Sequence, residues 1–116
     1  MAKCNDAACA GSDETITTVD NPDNSVGWYN SIAVGTDGLP VISYWDATAF
    51  TLKVGKCNDT ACTGEDETIT TVDDPVNEVG EWTSIAIGRD GLPVISYYDN
   101  TAGALKVVHC GSASCQ

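Results

Sequence analysis

The apolar positions of the chain fall into short runs that recur at regular intervals. In the first half of the sequence these runs are 14–20, 31–35, 40–45 and 51–57. Each run is rich in the β-branched and aromatic residues that suit a pleated strand. No stretch shows the 3.6-residue period of an amphipathic helix. The pattern therefore predicts an all-β chain with four short strands in each structural unit.

The segment "GTDGLP" between the second and third runs predicts a tight hairpin. Asp37-Gly38 supplies the positive φ that such a turn needs, and Pro40 stands at a strand start, where no ladder donor is lost. The two strands that it joins are almost continuously apolar, which indicates a sheet covered on both faces. We therefore expect sheets that stack on neighbouring sheets.

The chain contains an internal duplication. Residues 3–55 align without a gap on residues 56–108, with 37 of 53 positions identical, and residues 109–115 begin a third copy. We treat 1–116 as one domain of two repeats and a partial third. Units of about 50 residues with four antiparallel strands and two covered faces are typical of β-propeller blades. A two-sheet sandwich built from the two copies is the alternative.

The frame of the chain is shifted relative to the blade. If residues 31–35 form an innermost strand, the first blade takes its outermost strand from residues 67–73, and residues 14–20 form an outermost strand without a blade of its own. The last blade, formed by three strands of the second unit, lacks an outermost strand. The sequence thus predicts two circularly permuted four-stranded blades. The strands of the last blade are expected at 84–88, 93–98 and 104–110.

Two blades cannot close a propeller, which takes roughly four to eight. We expect a cyclic homo-oligomer in which residues 14–20 of one chain complete the last blade of the next, so that oligomerisation completes the ring. Three chains would give six blades and four would give eight, and we prefer the trimer. At each junction, residues 3–9 of one chain and 109–115 of the next are copies that compete for one loop position.

The chain is strongly acidic, with 17 Asp and Glu against 5 Lys and Arg and a formal charge of -12. This charge repels phosphate backbones and anionic lipid surfaces, so neither nucleic acid nor membrane is expected as a partner. No apolar stretch approaches the roughly 20 residues that cross a bilayer. Because the carboxylates are scattered among turns, solubility explains them equally well.

Six cysteines form three Cys-x4-Cys pairs at the repeat spacing. Such a pattern favours local disulfides in an oxidising compartment, and hence a secreted or extracellular protein. Zinc is a weaker alternative, because each pair supplies two ligands and His109 has Lys3 and Lys56 as its counterparts. Free thiols are the third alternative. The predicted disulfides join Cys4 to Cys9, Cys57 to Cys62 and Cys110 to Cys115.

The start "MAKCND" lacks the features of a secretory signal, so we expect either a removed signal or a Met1 added to an excised segment.

No catalytic residue is predicted, and we expect no enzyme activity. His109 lies beside a cysteine loop, and no Ser or Cys nucleophile at a sharp turn accompanies it. Arg89 is the only arginine, whereas propeller sialidases gather several arginines around their substrate, so that chemistry is not expected. A glycosidase-type carboxylate pair could form across blades, although turn and capping roles are preferred. The acidic residues concerned are Asp46, Asp99, Glu78 and Glu81.

The connections between strands divide between two faces of the expected ring. The "TDGLP" hairpins and the Cys-x4-Cys loops share one face. The other face carries residues 46–51 and 99–104 and the links between blades, 20–30 and 73–83, and here the two copies differ most. Aromatic rings beside Asp and Asn suit a sugar site, whereas the alternative is that these rings fill the seams between blades. The candidate ligand-binding residues are Trp28, Tyr29, Asn30, Asp46, Trp82, Thr83, Asp99 and Asn100.

Calcium is a weaker prediction on the same face, at residues 20–24 and 73–78, where oxygen-bearing side chains cluster. Asx turns that lead into proline explain these letters as well. We therefore predict no cofactor.

The segments "SIAVGTDGLPVISYWD" and "SIAIGRDGLPVISYYD", followed by "LKVGKC" and the Cys-x4-Cys loop, resemble the tandem repeats of bacterial extracellular β-propeller proteins. The resemblance covers essentially the whole chain and implies the propeller fold and an extracellular location, but no catalytic residue. A two-unit chain then suggests a fragment of a longer array, whether natural, excised or reconstructed. The architecture also resembles small lectins with two blades per chain that trimerise, although their sugar-binding motifs are absent.

These observations lead to two functional hypotheses. The first is a multivalent, non-enzymatic ring that binds glycan or another extracellular polymer. The second is a structural, self-assembling propeller fragment with no retained ligand.

Overall fold

The computed structural model describes residues 1–74, 76 and 78–116, and its regular structure is entirely antiparallel β-sheet. The predicted all-β class is therefore confirmed. No helix that could span a membrane occurs in the described part of the chain. The strands are β1 (Ala2–Lys3), β2 (Thr15–Ile16), β3 (Val26–Val34), β4 (Pro40–Asp46), β5 (Thr51–Lys56), β6 (Thr68–Asp73), β7 (Val79–Ile87), β8 (Pro93–Asp99) and β9 (Ala104–His109).

The larger sheet has the strand order β3-β4-β5-β6, with each strand antiparallel to its neighbour. Its outer strand, β6, belongs to the second sequence repeat, so the predicted shift between repeat and sheet is confirmed. The sheet β7-β8-β9 has the same order of inner strands and has three strands among the described residues. Both sheets are blade-like antiparallel meanders, in which strands that follow one another in sequence are neighbours in the sheet.

The small sheet of β1 and β2 repeats part of the larger one. Lys3 pairs with Thr15 as Lys56 pairs with Thr68, at the same spacing of the duplicated sequence. Strand β2 is much shorter than the predicted 14–20. Its partner β1 has two residues, so the ladder between them contains two pairs. Residues 15–16 are thus the equivalent of the start of β6, and Ala2–Lys3 are the equivalent of the end of β5.

The core lies between the two blade-like sheets. One face of β4 and β5 packs against β7, and the apolar side chains at this contact are almost completely buried. Ser43 Oγ and Thr83 Oγ1 share a hydrogen bond of 2.7 Å across the same contact. This contact is the sheet-on-sheet packing that the apolar strands predicted. Its buried residues include Val41, Leu52, Val54, Val79, Ile85 and Ile95.

The predicted hairpin turn is present, with Gly35 N donating to Leu39 O at 2.9 Å and Gly38 at φ 79°. Cys57 N donates to Pro40 O at 3.0 Å, which places the cysteine loop at the same end of the sheet as this turn. The three predicted disulfides are all formed.

Candidate functional site

A β-bulge at the start of each innermost strand positions the aromatic residues of the candidate site. The register of β3 against β4 shifts twice between Val26 and Ser31, and Tyr29 has φ 51°. The second sheet repeats this geometry, with Trp82 at φ 50°. Bulges re-aim side chains and often lie beside functional sites. The strand therefore begins at Val26, and Trp28, Tyr29 and Asn30 lie in β3 rather than in the predicted connection.

Six aromatic side chains form a connected group across the two sheets, centred on Tyr29, which we call the aromatic row. The Tyr29 and Trp82 rings, one from each sheet, lie 4.9 Å apart between centroids. Tilted pairs at such distances stabilise each other beyond simple burial. The members of the row, with neighbouring centroids 4.9 to 6.4 Å apart, are Trp28, Tyr29, Trp45, Phe50, Trp82 and Tyr98.

Much of the aromatic row faces solvent. Trp28 is 54% exposed and Trp82 is 59% exposed, and Tyr29 and Phe50 are also exposed. Trp28 Nε1 donates to Ser25 Oγ at 2.8 Å, which holds the indole in place. Trp45 Nε1 is buried without a hydrogen-bond partner. An exposed, contiguous apolar surface of this kind is characteristic of a binding surface.

Three of the candidate polar residues beside the row have partners within the chain. Thr83 is buried, and its hydroxyl donates to Tyr29 O at 2.9 Å. Asn30, its counterpart in the first repeat, is exposed and donates to Gly27 O at 3.0 Å. Asn100 Nδ2 donates to Glu78 Oε2 at 2.9 Å. Asn30 and Asn100 therefore lie where a ligand could reach them, and Thr83 lies in the seam.

The candidate aspartates Asp46 and Asp99 cap equivalent turns. Asp46 is 2% exposed; burial alone would raise its pKa, but the amides of Ala49 and Thr48 and the Lys53 ammonium hold that pKa below its usual value. The Ala102 amide has the largest effect in lowering the pKa of Asp99. Both carboxylates are thus committed to internal contacts. Whether the eight candidate residues bind a ligand stays a prediction.

Of the four acidic residues considered as a catalytic pair, Glu78 and Glu81 meet. Burial raises the pKa of Glu81, and the charge of the neighbouring Glu78 raises it further. Glu78 immediately precedes β7 and Glu81 lies within it, so this interaction is local to one strand end.

A second polar cluster joins each outer strand to the following sheet. Tyr44 Oη donates to Asp20 Oδ2 and Tyr97 Oη donates to Asp73 Oδ2, both at 2.6 Å. Lys106 Nζ lies 3.2 Å from the same Asp73 oxygen. Burial, followed by the neighbouring aspartates, raises the pKa of both tyrosines. These contacts bind one structural layer to the next.

Metal ligands do not converge in the part of the chain that the structure describes: no three His, Cys, Asp or Glu side chains there form a group that could hold an ion. In the predicted calcium segments, Asp20 and Asp73 accept hydrogen bonds from tyrosine hydroxyls. Pro75 and Asn77 of the second segment lie outside the described residues. His109 Nε2 lies 2.6 Å from Asp90 Oδ2, at the hairpin end of the sheet.

Comparison of the chain with protein-family models, characterised proteins and solved structures finds no match. The site therefore rests on its own geometry. Three members of the aromatic row, Trp45, Phe50 and Tyr98, were missed as site residues from the sequence. Trp45 and Tyr98 each immediately precede a candidate aspartate at the end of an apolar run, and this position was the available signal.

Proposed function

We propose that the chain is a non-enzymatic, extracellular propeller module that closes into a ring with copies of itself and presents the aromatic row to a glycan or related polymer. The observation that carries this proposal is a pair of complementary surfaces on opposite sides of the molecule. Each surface is one half of the contact that already joins the two sheets within the chain.

The first surface is one face of β8 and β9. Leu52 and Val54 are 0% exposed in the contact between the sheets, whereas their counterparts Leu105 and Val107 are 78% and 62% exposed. Exposed apolar side chains in a regular sheet favour association, because water is an unfavourable environment for them. A further sheet stacked here would complete the pattern.

The second surface is the opposite face of the first sheet. Ile85 is 8% exposed at the internal contact, whereas its counterpart Ile32 is 52% exposed. Because the two surfaces are unlike halves of one contact, association is head to tail and closes when the rotation fits. Three chains give six blades and four give eight, within the range that propellers use.

Glycan binding is supported by the exposed part of the aromatic row. Trp28 and Trp82 offer flat apolar faces that can cover the apolar side of a sugar ring. Asn30 and Asn100, nearby on the same side, offer amides for its hydroxyls. A ring carries this row in every chain, and avidity then compensates for weak single sites.

The mass of the chain in solution tests the assembly. Light scattering at several concentrations is expected to give three or four times the chain mass of 12.1 kDa. A strictly monomeric protein would refute the ring. The three disulfides are compatible with the extracellular location that we propose.

A glycan array followed by titration calorimetry tests the binding role. Trp28→Ala and Trp82→Ala are expected to weaken binding at least tenfold, whereas Val76→Ala, an exposed apolar position outside the row, serves as the control. An assembled ring that binds no glycan would instead favour the second hypothesis, a structural module with no retained ligand.

A further inference from the structure

Strand β1 pairs with a strand edge that also matches β9 of another copy of the chain. Ala2 and Lys3 pair with Ile16 and Thr15, and the Met1 nitrogen donates to Thr17 O at 2.8 Å. In the repeat alignment, Ala2 and Lys3 correspond to Val108 and His109, the last residues of β9. The internal pairing of β5 with β6 therefore predicts that β9 of another copy fits the same edge.

Hydrogen bonds within one chain already hold this edge in the position in which it would pair with another strand. Asp20 is bonded to Tyr44, as Asp73 is bonded to Tyr97 in the complete contact. Thr17 Oγ1 donates to Ala61 O at 2.8 Å, and this hydrogen bond holds the part of the edge that precedes Asp20. β1 pairs with residues 15–16, so the backbone beyond Thr17 lies outside its ladder. An incoming strand can begin pairing there before it meets β1.

Beside this edge lies a groove of about 530 Å³, bordered by Met1, Ile32, Ile42 and Tyr44. Three of these residues correspond to Ile85, Ile95 and Tyr97, which bury the face of β4 and β5 inside the chain. The groove is thus the uncovered equivalent of the internal contact. Leu105 and Val107 are the exposed counterparts of the residues that fill the equivalent position.

We infer that β9 of a second copy of this chain pairs with residues 15–20, fills this groove and displaces residues 1–9. This inference rests on the proposed ring and specifies its junction. In the register of β5 on β6, Val107 of the partner subunit lies opposite Thr17, and Lys106 of the partner subunit lies opposite Thr18. The partner's Leu105 lies opposite Asp20.

Residues 1–9 of one chain and residues 109–115 of the next compete for one position. The segment that fewer contacts hold in place is the one displaced. β9 is held by a six-pair ladder to β8, by Cys110 N donating to Pro93 O at 2.9 Å, and by the contact of His109 with Asp90. β1 and the segment after it are held by two pairs, by two hydrogen bonds between Met1 and Thr17, and by the bond from Asn5 Nδ2 to Asp13 O. Since more contacts hold β9 in its own sheet, the segment with β1 leaves the edge.

The test compares the dissociation constant of the unmodified chain with that of a chain lacking residues 1–9. Removing the competitor is expected to tighten association roughly tenfold, because the weak backbone hydrogen bonds of β1 no longer have to be broken. Leu105→Asp is expected to give a monomer with an unchanged far-ultraviolet circular dichroism spectrum, and Val76→Asp, at another exposed apolar site, is the matched control.

Each result separates the junction from the ring. An unmodified oligomer that the deletion weakens or leaves unchanged would overturn the displacement while the ring stands. An oligomer that survives Leu105→Asp would overturn the proposed surface. If both the unmodified and the shortened chain stay monomeric at every concentration, the ring and the junction are both refuted, whereas loss of glycan binding alone affects neither.

Discussion

Gly80 lies directly against the backbone of Leu52 in the contact between the two sheets. A Cβ atom on Gly80 would be 2.8 Å from both the nitrogen and the Cα of Leu52, closer than real side chains approach. Gly27 is its counterpart in the first repeat, and it has open space around the same position. The two glycines have similar φ values, 97° and 87°. They therefore differ in packing and not in conformation.

This pair provides a matched test of the sheet contact. Gly27→Ala is expected to lower the free energy of unfolding of the monomer by about 1 kcal/mol, from backbone strain alone. Gly80→Ala adds roughly 1–3 kcal/mol, because the backbone of Leu52 cannot yield cheaply. Urea denaturation of both variants measures the difference. Gly27→Ala should also reduce the oligomer mass, since Leu105 of the partner subunit would meet the new methyl group; equal stabilities would contradict the packing.

The hydrogen bond from Tyr97 to Asp73 is expected to stabilise the chain by about 1.5 kcal/mol, because its acceptor is charged. Tyr97→Phe removes this bond and leaves Asp73 beside Lys106. The pKa of Tyr97 is raised, chiefly by burial, so the folded state retains its proton after the unfolded state loses it. Stability should therefore fall as the pH rises past the ordinary tyrosine value of 10.0, and less steeply in Tyr97→Phe. Thermal melts between pH 8 and pH 11 measure both effects, and parallel curves would contradict this role.

Glu81 predicts a dependence on pH in the acidic range. Because burial and Glu78 raise its pKa, the unfolded chain releases this proton at a lower pH than the folded chain does. Its contribution to stability is therefore present below the ordinary value of 4.5 and is lost as the pH rises through the folded value. Glu81→Gln should gain stability relative to the unmodified chain between pH 4 and pH 7. Glu65→Gln, at an exposed position, is the control. An equal gain in stability there would contradict the effect of burial on Glu81.

The disulfides should differ in their effects although their loops are equal in length. Each small loop is expected to contribute about 2 kcal/mol through the entropy of the unfolded chain. Cys57 and Cys62 are both 0% exposed, so replacing this pair with alanine also loses packing. Replacing Cys4 and Cys9 should cost less and leave the oligomer mass unchanged, because the inferred junction displaces their loop. Calorimetric melts and light scattering of the two double variants measure this, and loss of the oligomer without Cys4 and Cys9 would argue against displacement.

The sequence by itself determined the all-β class, the hairpins and the shift between repeat and sheet. The Asp37-Gly38 turn and the apolar runs on either side of it are local signals, so they predicted β3 and β4 as a hairpin without any tertiary information. The assignment of residues 67–73 to the first sheet followed from the duplication and is confirmed by the pairing of β5 with β6. The cysteine spacing likewise predicted three local disulfides, which the structure contains.

Only the tertiary structure decided the site and its surroundings. The sequence placed Trp28 and Tyr29 in a connection, because a bulge has no clear signature in single-residue propensities and both residues instead lie in β3. Asp46 and Thr83 looked like ligand-binding groups, but burial at a turn and at a seam gives them internal partners. Leu52 and Leu105 have nearly the same local sequence and opposite exposures. Local sequence sets the strand, whereas burial depends on which sheet lies opposite, and that is a property of the whole assembly of strands.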